Sequence, residues 1–223
     1  MPRRTNTRER LIETAADLFC RQGYAHTGVN EIMQRAKTTS GSFYHFFPTK
    51  EDLVLAVVDH IGEWLDTGVF SADLAADTDP VDRVFAVVDS YRRRLADSEF
   101  ALGSPLGTLA AELSDSHPQV RDRLAKLLSR WIDHMEILLE EAGNRLPDSL
   151  DRRALAEFIL SAVEGAALQA RARRSLDPFD ATAAGLRRHL GVLAGTPKPT
   201  AAPETRPRPA PAARSSRADW RAW

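Results

Sequence analysis

The sequence is short of cysteine, of net charge and of long apolar runs, and each shortage removes a class of protein. Cys20 is the only cysteine among 223 residues, so no intrachain disulfide forms and no cysteine-rich metal site can be built. No segment of 18 residues is apolar and free of charge, which leaves no ordinary transmembrane helix. The Arg-rich N-terminus lacks the apolar stretch that a secretory signal needs, so a cytoplasmic protein with no membrane partner is expected. Catalytic constellations are missing as well. The six histidines are scattered, with no His-Glu-x-x-His pair, P-loop, Gly-x-Gly-x-x-Gly run or Gly-x-Ser-x-Gly elbow. No enzyme activity, catalytic residue, metal or cofactor is expected.

What is present is apolar material and a segregation of charge. Hydrophobic residues make up 43% of a 24.7 kDa chain, enough for a sizeable core. The formal charge of -1 hides an uneven distribution: residues 1–50 carry eight basic and four acidic side chains, 51–195 carry 16 and 25, and 196–223 carry six and two. A basic first segment suits a polyanion partner, and the same pattern also fits a surface kept soluble without one.

Helical periodicity dominates. Leu11, Ile12, Ala15, Leu18 and Phe19 form an apolar stripe in a helix over 6–22, with Asn6 and Glu9 at capping-box spacing and Gly23 as the stop. A two-turn helix follows over 29–36, and Thr39 caps a third over 40–46 that draws its apolar weight from Phe43, Phe46 and Phe47. Pro48 closes that helix, and Thr49 with Asp52 opens a fourth over 50–68. Further helices are predicted over 80–98, 106–113, from 118 to the break at Gly143, over 149–174 and over 178–193. No stretch alternates as a strand, so the fold class is all-α. Six of the 13 prolines fall between Pro197 and Pro211, so 196–223 is expected to be a disordered Pro/Ala/Arg-rich tail. Trp220 and Trp223 within it fit chance or a short docking element.

The segment from Phe19 to Leu53 carries a recognisable pattern. Phe19 and Gly23-Tyr24 end the first helix; Thr27, Val29 and Glu31-Ile32 open the second; Gly41-Ser42-Phe43-Tyr44 lies in the third; and Phe47-Pro48-Thr49-Lys50-Glu51-Asp52-Leu53 leads into the fourth. In type, order and spacing this resembles the DNA-binding domain of the TetR (tetracycline-repressor) family of bacterial transcription regulators. The resemblance implies a three-helix helix-turn-helix domain over 1–49 whose third helix enters the major groove of a double-stranded DNA operator. It places Thr39, Ser40, Gly41 and His45 at the bases, and Thr27, Tyr44 and Lys50 at phosphates. Simpler roles stay open: a cap for Thr27, a packed aromatic for Tyr44, a solvated lysine for Lys50. Two positions depart from the family pattern. Lys37 stands where family members usually have glycine, and Ser40 where they often have lysine.

The same resemblance implies a larger helical domain over 50–195 that binds an unidentified small-molecule effector and forms a homodimer. Gly103-Ser104-Pro105-Leu106-Gly107 is similar to a Gly-Cys-Pro-x-Gly run in one branch of the family, with Ser104 replacing the cysteine. By position, Trp64, Phe85, Tyr91, Phe100, Leu109, Trp131, Met135 and Phe158 are the expected walls of an effector pocket, and a mostly apolar or aromatic effector suits them. Each also fits an ordinary core role. Phe158, Ala162, Gly165, Ala166, Ala170, Phe179, Leu186 and Leu190 are the expected four-helix dimer seam, unless that stripe faces its own subunit's core. The resulting expectation is a ligand-responsive transcription regulator, a repressor released from a palindromic operator by its effector. The competing reading is a helical protein-interaction module whose helix-turn-helix no longer binds DNA.

Overall fold

The computed structural model describes residues 7–70 and 78–195, and within them it is helical, with no strand. The chain runs α1 (Thr7–Gln22), α2 (Val29–Arg35), α3 (Ser40–Phe46), α4 (Lys50–Trp64), a π-helical turn (Leu65–Phe70), α5 (Pro80–Asp97), α6 (Pro105–Leu113), α7 (Pro118–Glu141), a short 3-10 turn (Gly143–Arg145), α8 (Arg152–Arg173) and α9 (Asp177–Leu193). The proposed Asn6 cap and the 196–223 tail lie outside the described residues.

Local chemistry sets the helix ends. Gly23 adopts φ +86 and terminates α1, a conformation that costs a residue with a Cβ about 1–2 kcal/mol. Lys37, in the turn before α3, takes φ +51 without being glycine and bears that strain. Thr49 and Asp52 form a reciprocal capping box at the start of α4. Asp79, Ser104 and Asp151 cap α5, α6 and α8 through side-chain oxygens. The regular α4 stops at Trp64 instead of continuing to 68. Thr67 Oγ1 donates to the Glu63 carbonyl at 2.8 Å, occupying an acceptor near the place where the i→i−4 ladder gives way to the wider turn.

Helices α2 and α3 have seven residues each, too few to persist alone. Packing holds them: Ile32 and Phe43 are fully buried against Leu11, Leu18 and Phe19 of α1 and Leu53 of α4. Each such side chain contributes about 1.5–3 kcal/mol of transfer free energy. Beyond this unit, α7 packs against α8 and α8 against α9, with α4, α5 and α6 laid on α7. Trp131 and Met135 of α7 are completely enclosed there, as is Leu109 of α6. Buried side chains join the two parts into one continuous core. No described helix is long and apolar enough to cross a membrane.

Candidate nucleic-acid interface

Helix α3 has one face anchored and the other open. Phe43 is 0% exposed and the following Phe47 is 3% exposed. On the opposite side Thr39, Ser40, Gly41, Tyr44 and His45 are all exposed. At Gly41, among the described residues, nothing beyond its neighbours and its own helix backbone lies within 4 Å of the place where a Cβ would stand, so a surface can approach the backbone closely there. Tyr44 is 52% exposed, with its ring edge-on to Phe43 at 5.1 Å. Thr39 Oγ1 accepts the Ser42 N–H at 3.3 Å and donates to Ser42 Oγ at 3.1 Å. The leading edge of the helix is therefore a capped, polar surface.

Of the three expected phosphate contacts, Thr27 is corrected and Lys50 has a partner within the chain. Thr27 is 0% exposed, and its hydroxyl donates to the Gly23 carbonyl at 2.6 Å. It closes the α1–α2 turn and has no donor to offer outward. Lys50 is only partly exposed; its Nζ donates to the Tyr24 carbonyl and lies 3.9 Å from the Tyr24 ring centroid. Partial burial lowers its pKa from the ordinary lysine value. The ammonium thus braces the same turn from the side of α4 with one of its three N–H donors, and Lys50 and Tyr44 both keep donors free for a phosphate.

Comparison with known proteins decides what kind of molecule carries this helix. Residues 11–57 match the model of bacterial regulatory proteins of the tetR family, and residues 80–185 match the C-terminal domain of LmrA/YxaF-like transcriptional regulators. An uncharacterised HTH-type transcriptional regulator of Mycobacterium tuberculosis is 30% identical over 178 residues, spanning 78% of this chain and 88% of that one. The chain belongs to the TetR family. It is also similar to the HTH-type transcriptional repressor DhaR of a Mycobacterium species, at 27% identity over 79% of this chain and 88% of that protein. Among solved structures, regulatory protein TetR from Rhodobacter sphaeroides superposes with a TM-score of 0.77 at 28% identity, covering 82% of this chain and 98% of that one. In this TetR-family regulator an N-terminal helix-turn-helix domain is followed by a larger helical domain.

The expected effector walls separate on inspection of the larger domain. Phe85, Tyr91, Leu109, Trp131 and Met135 lie in its interior, Trp64 and Phe100 are half-buried, and Phe158 stands 53% exposed on the outside. Phe158 is therefore no pocket wall. A cavity of about 40 Å³ opens between α1, α4, α5 and α6, bordered by Asp17, Cys20, His60, Trp64, Arg94 and Pro105. That volume holds a few waters, far below the several hundred Å³ of a drug-sized site. Of the expected walls, Trp64 alone borders it. Polar groups missing from the expected set are buried nearby. Arg94 Nε donates to the Gly103 carbonyl at 2.9 Å, and Ser104 Oγ donates to Glu164 Oε1 at 2.7 Å. Burial pushes the Glu164 carboxyl and the Cys20 thiol up, and lowers Arg94. Tyr91 is raised by burial and by Glu164, with the Trp131 indole beside it. Glu164 falls between apolar positions on α8, and its spacing carried no sign of burial.

The seam residues also divide. Ala166, Ala170, Phe179, Leu186 and Leu190 are all under 5% exposed within the single chain, so they pack α8 and α9 into their own subunit and are withdrawn as surface. Phe158, Ala162 and Gly165 lie on the outward side of α8, where Leu168 continues the row at 70% exposure. On α9 Val192 is 76% exposed, and the His189 ring meets the Phe158 ring edge-on at 6.0 Å. Leu168 and Val192 were missed although the i, i+3, i+4 series from Phe158 points to the first. A one-residue offset turns a helix by about 100°, and two apolar faces had been read as one.

Proposed function

We propose that this regulator is a dimeric repressor that inserts α3 of each subunit into successive major grooves and leaves its operator when a small apolar effector binds the larger domain. The observation that carries the reading is the anchored geometry of α3, with Phe43 wholly buried and Ser40, Gly41, Tyr44 and His45 exposed opposite it. In this arrangement Thr39, Ser40, Gly41 and His45 read base edges, and the Tyr44 hydroxyl contacts phosphate.

A single helix-turn-helix neutralises few phosphates, so two copies related by a twofold axis give specific affinity, with half-sites roughly 34 Å or a multiple apart. The seam is formed by the outward faces of α8 and α9. Phe158, Leu168 and Val192 supply apolar area, and Ala162 and Gly165 let the helices approach. Exposure of three large apolar side chains on one side of the molecule supports this choice. The effector site lies among Tyr91, Leu109, Trp131 and Met135, with Glu164 and Arg94 as the polar groups that orient a ligand. That interior must open for a ligand to enter. Release requires the effector to bind the DNA-incompetent arrangement more tightly, since equal affinity shifts nothing. A gel shift against DNA upstream of the chain's own gene tests the reading: a discrete complex, weakened by salt and by specific competitor, is the expected result. The name of the DhaR relative as a repressor supports the sign of regulation.

A further inference from the structure

The turn between α1 and α2 is gripped from the larger domain by one carboxylate. Glu112, in the last turn of α6, accepts the Tyr24 N–H on Oε2 and the Ala25 N–H on Oε1, each at 2.6 Å. Gly23 makes the close approach possible: a Cβ at this φ +86 residue would stand 3.0 Å from Glu112 Oε2. Lys50 holds the Tyr24 carbonyl from the side of α4, so Tyr24 is held at its N–H by the Glu112 carboxylate of α6 and at its C=O by the Lys50 ammonium of α4. Two further contacts converge on the same end of α1. Arg171 of α8 donates to the Arg21 carbonyl at 2.8 Å, and the His117 ring, just before α7, meets Tyr24 edge-on at 5.2 Å.

Helix electrostatics does not account for this carboxylate. It lies beside the C-terminal ends of both α1 and α6, where the macrodipoles disfavour negative charge. The two charge-assisted bonds to backbone N–H groups offset that cost, and the Lys50 ammonium is near enough for its pKa to feel Glu112. The chemistry is also selective. A carboxylate offers two acceptors to two donors, whereas a carboxamide of the same shape turns an N–H toward one of them.

We infer that Glu112 is a positioning residue for DNA binding. By clamping the Tyr24 and Ala25 amides it fixes the angle at which the α1–α3 unit sits on the larger domain. In the dimer proposed above, on which this inference rests, that angle sets the separation of the two recognition helices. Helix α6 has nine residues and runs about 13 Å at roughly 1.5 Å per residue, from Pro105 at the junction cavity to the clamp. Arg171 ties the same end of α1 to α8, the helix that carries the outward apolar row. The orientation of the reading unit is thereby referred to the seam itself.

The test compares the full chain with Glu112→Gln and Glu112→Asp. Bound DNA is selected from a library holding two copies of the chain's own half-site at varied spacing, and amide hydrogen exchange is followed at Tyr24 and Ala25. The wild-type protein is expected to prefer one spacing at least tenfold over its one-base-pair neighbours. Glu112→Gln keeps the half-site sequence but flattens that preference to threefold or less, and its two amides exchange at least tenfold faster; Glu112→Asp falls between. Unchanged spacing discrimination in Glu112→Gln overturns the inference, and so does unfolding of both variants, which assigns the carboxylate to stability alone. A wild-type chain that selects no paired half-sites overturns the dimeric reading instead. The clamp is then judged on amide exchange, with unchanged protection in Glu112→Gln refuting it.

Discussion

Ser104 and Glu164 meet across the helical body, where the Ser104 hydroxyl donates to Glu164 Oε1 at 2.7 Å while accepting the Gly107 N–H at 3.1 Å. One hydroxyl thus caps α6 and engages a half-buried carboxyl on α8. Burial raises the Glu164 pKa above the ordinary glutamate value, against the lowering effect of the Ser104 bond. A group with a raised folded-state pKa binds its proton more tightly when folded. Its stabilising contribution is full below the unfolded pKa and is lost as pH rises through the folded one. Glu164→Gln mimics the protonated carboxyl, so it is expected to raise the thermal midpoint at about pH 7.5 and change it little at about pH 4. Thermal melts at both pH values check this. Destabilisation at about pH 7.5 that shrinks at about pH 4 would show that the site needs an anion.

The cap of the recognition helix offers a second prediction. Thr39→Ala removes the acceptor for the Ser42 N–H and is expected to cost about 1 kcal/mol of stability. Operator affinity falls with it, because α3 must be ordered to bind. Thr39→Ser keeps the oxygen and is expected to restore both, as read by chemical denaturation and gel shift.

Positioning and reading are separable on α3. Tyr44→Phe is expected to weaken binding alike on specific and nonspecific DNA, since it removes a phosphate donor. Substitutions at Ser40 or His45 should instead change operator preference, by about 1–3 kcal/mol for each base pair whose direct contact is altered. Binding to a panel of single-base operator variants distinguishes the two behaviours.

The outward row on α8 predicts a clean dissociation. Leu168 is 70% exposed in the single chain, so Leu168→Arg leaves the subunit core intact. Light scattering with size-exclusion chromatography is expected to show a dimer for the natural chain and a monomer of nearly unchanged helicity for the variant. A dimer that survives the substitution places the seam elsewhere.

Gly23 carries a conformational requirement and a steric one. Gly23→Ala puts a Cβ on a φ +86 backbone and 3.0 Å from Glu112 Oε2. A loss of more than about 1 kcal/mol is expected from the backbone alone, measured by denaturant unfolding.

The architecture was legible where local chemistry decides it. Thr49 and Asp52, Pro80, and Thr39 mark helix starts by side-chain chemistry confined to a few residues, and the structure puts the starts there. Lys37 stands where the family pattern has glycine, and its φ of +51 is the conformation that glycine would adopt without strain. Side chains whose partners are distant in sequence were not legible. Lys50 reads as a solvated lysine until the Tyr24 carbonyl, 26 residues away, is seen beside it. Glu112 follows the Gly103–Gly107 run that is similar to one branch of the family, but its role is not legible there, because its donors lie 87 and 88 residues away. On α8, apolar residues occupy two faces, and periodicity alone does not say which one meets its own subunit.

Selection of bound fragments from the source genome by the purified full chain, followed by gel shifts at two salt concentrations, tests the central claim most directly. The account predicts enrichment of a palindromic pair of half-sites with centres roughly 34 Å or a multiple apart, bound less tightly as salt rises. Sequence-indifferent retention, or no retention at low salt, would contradict it.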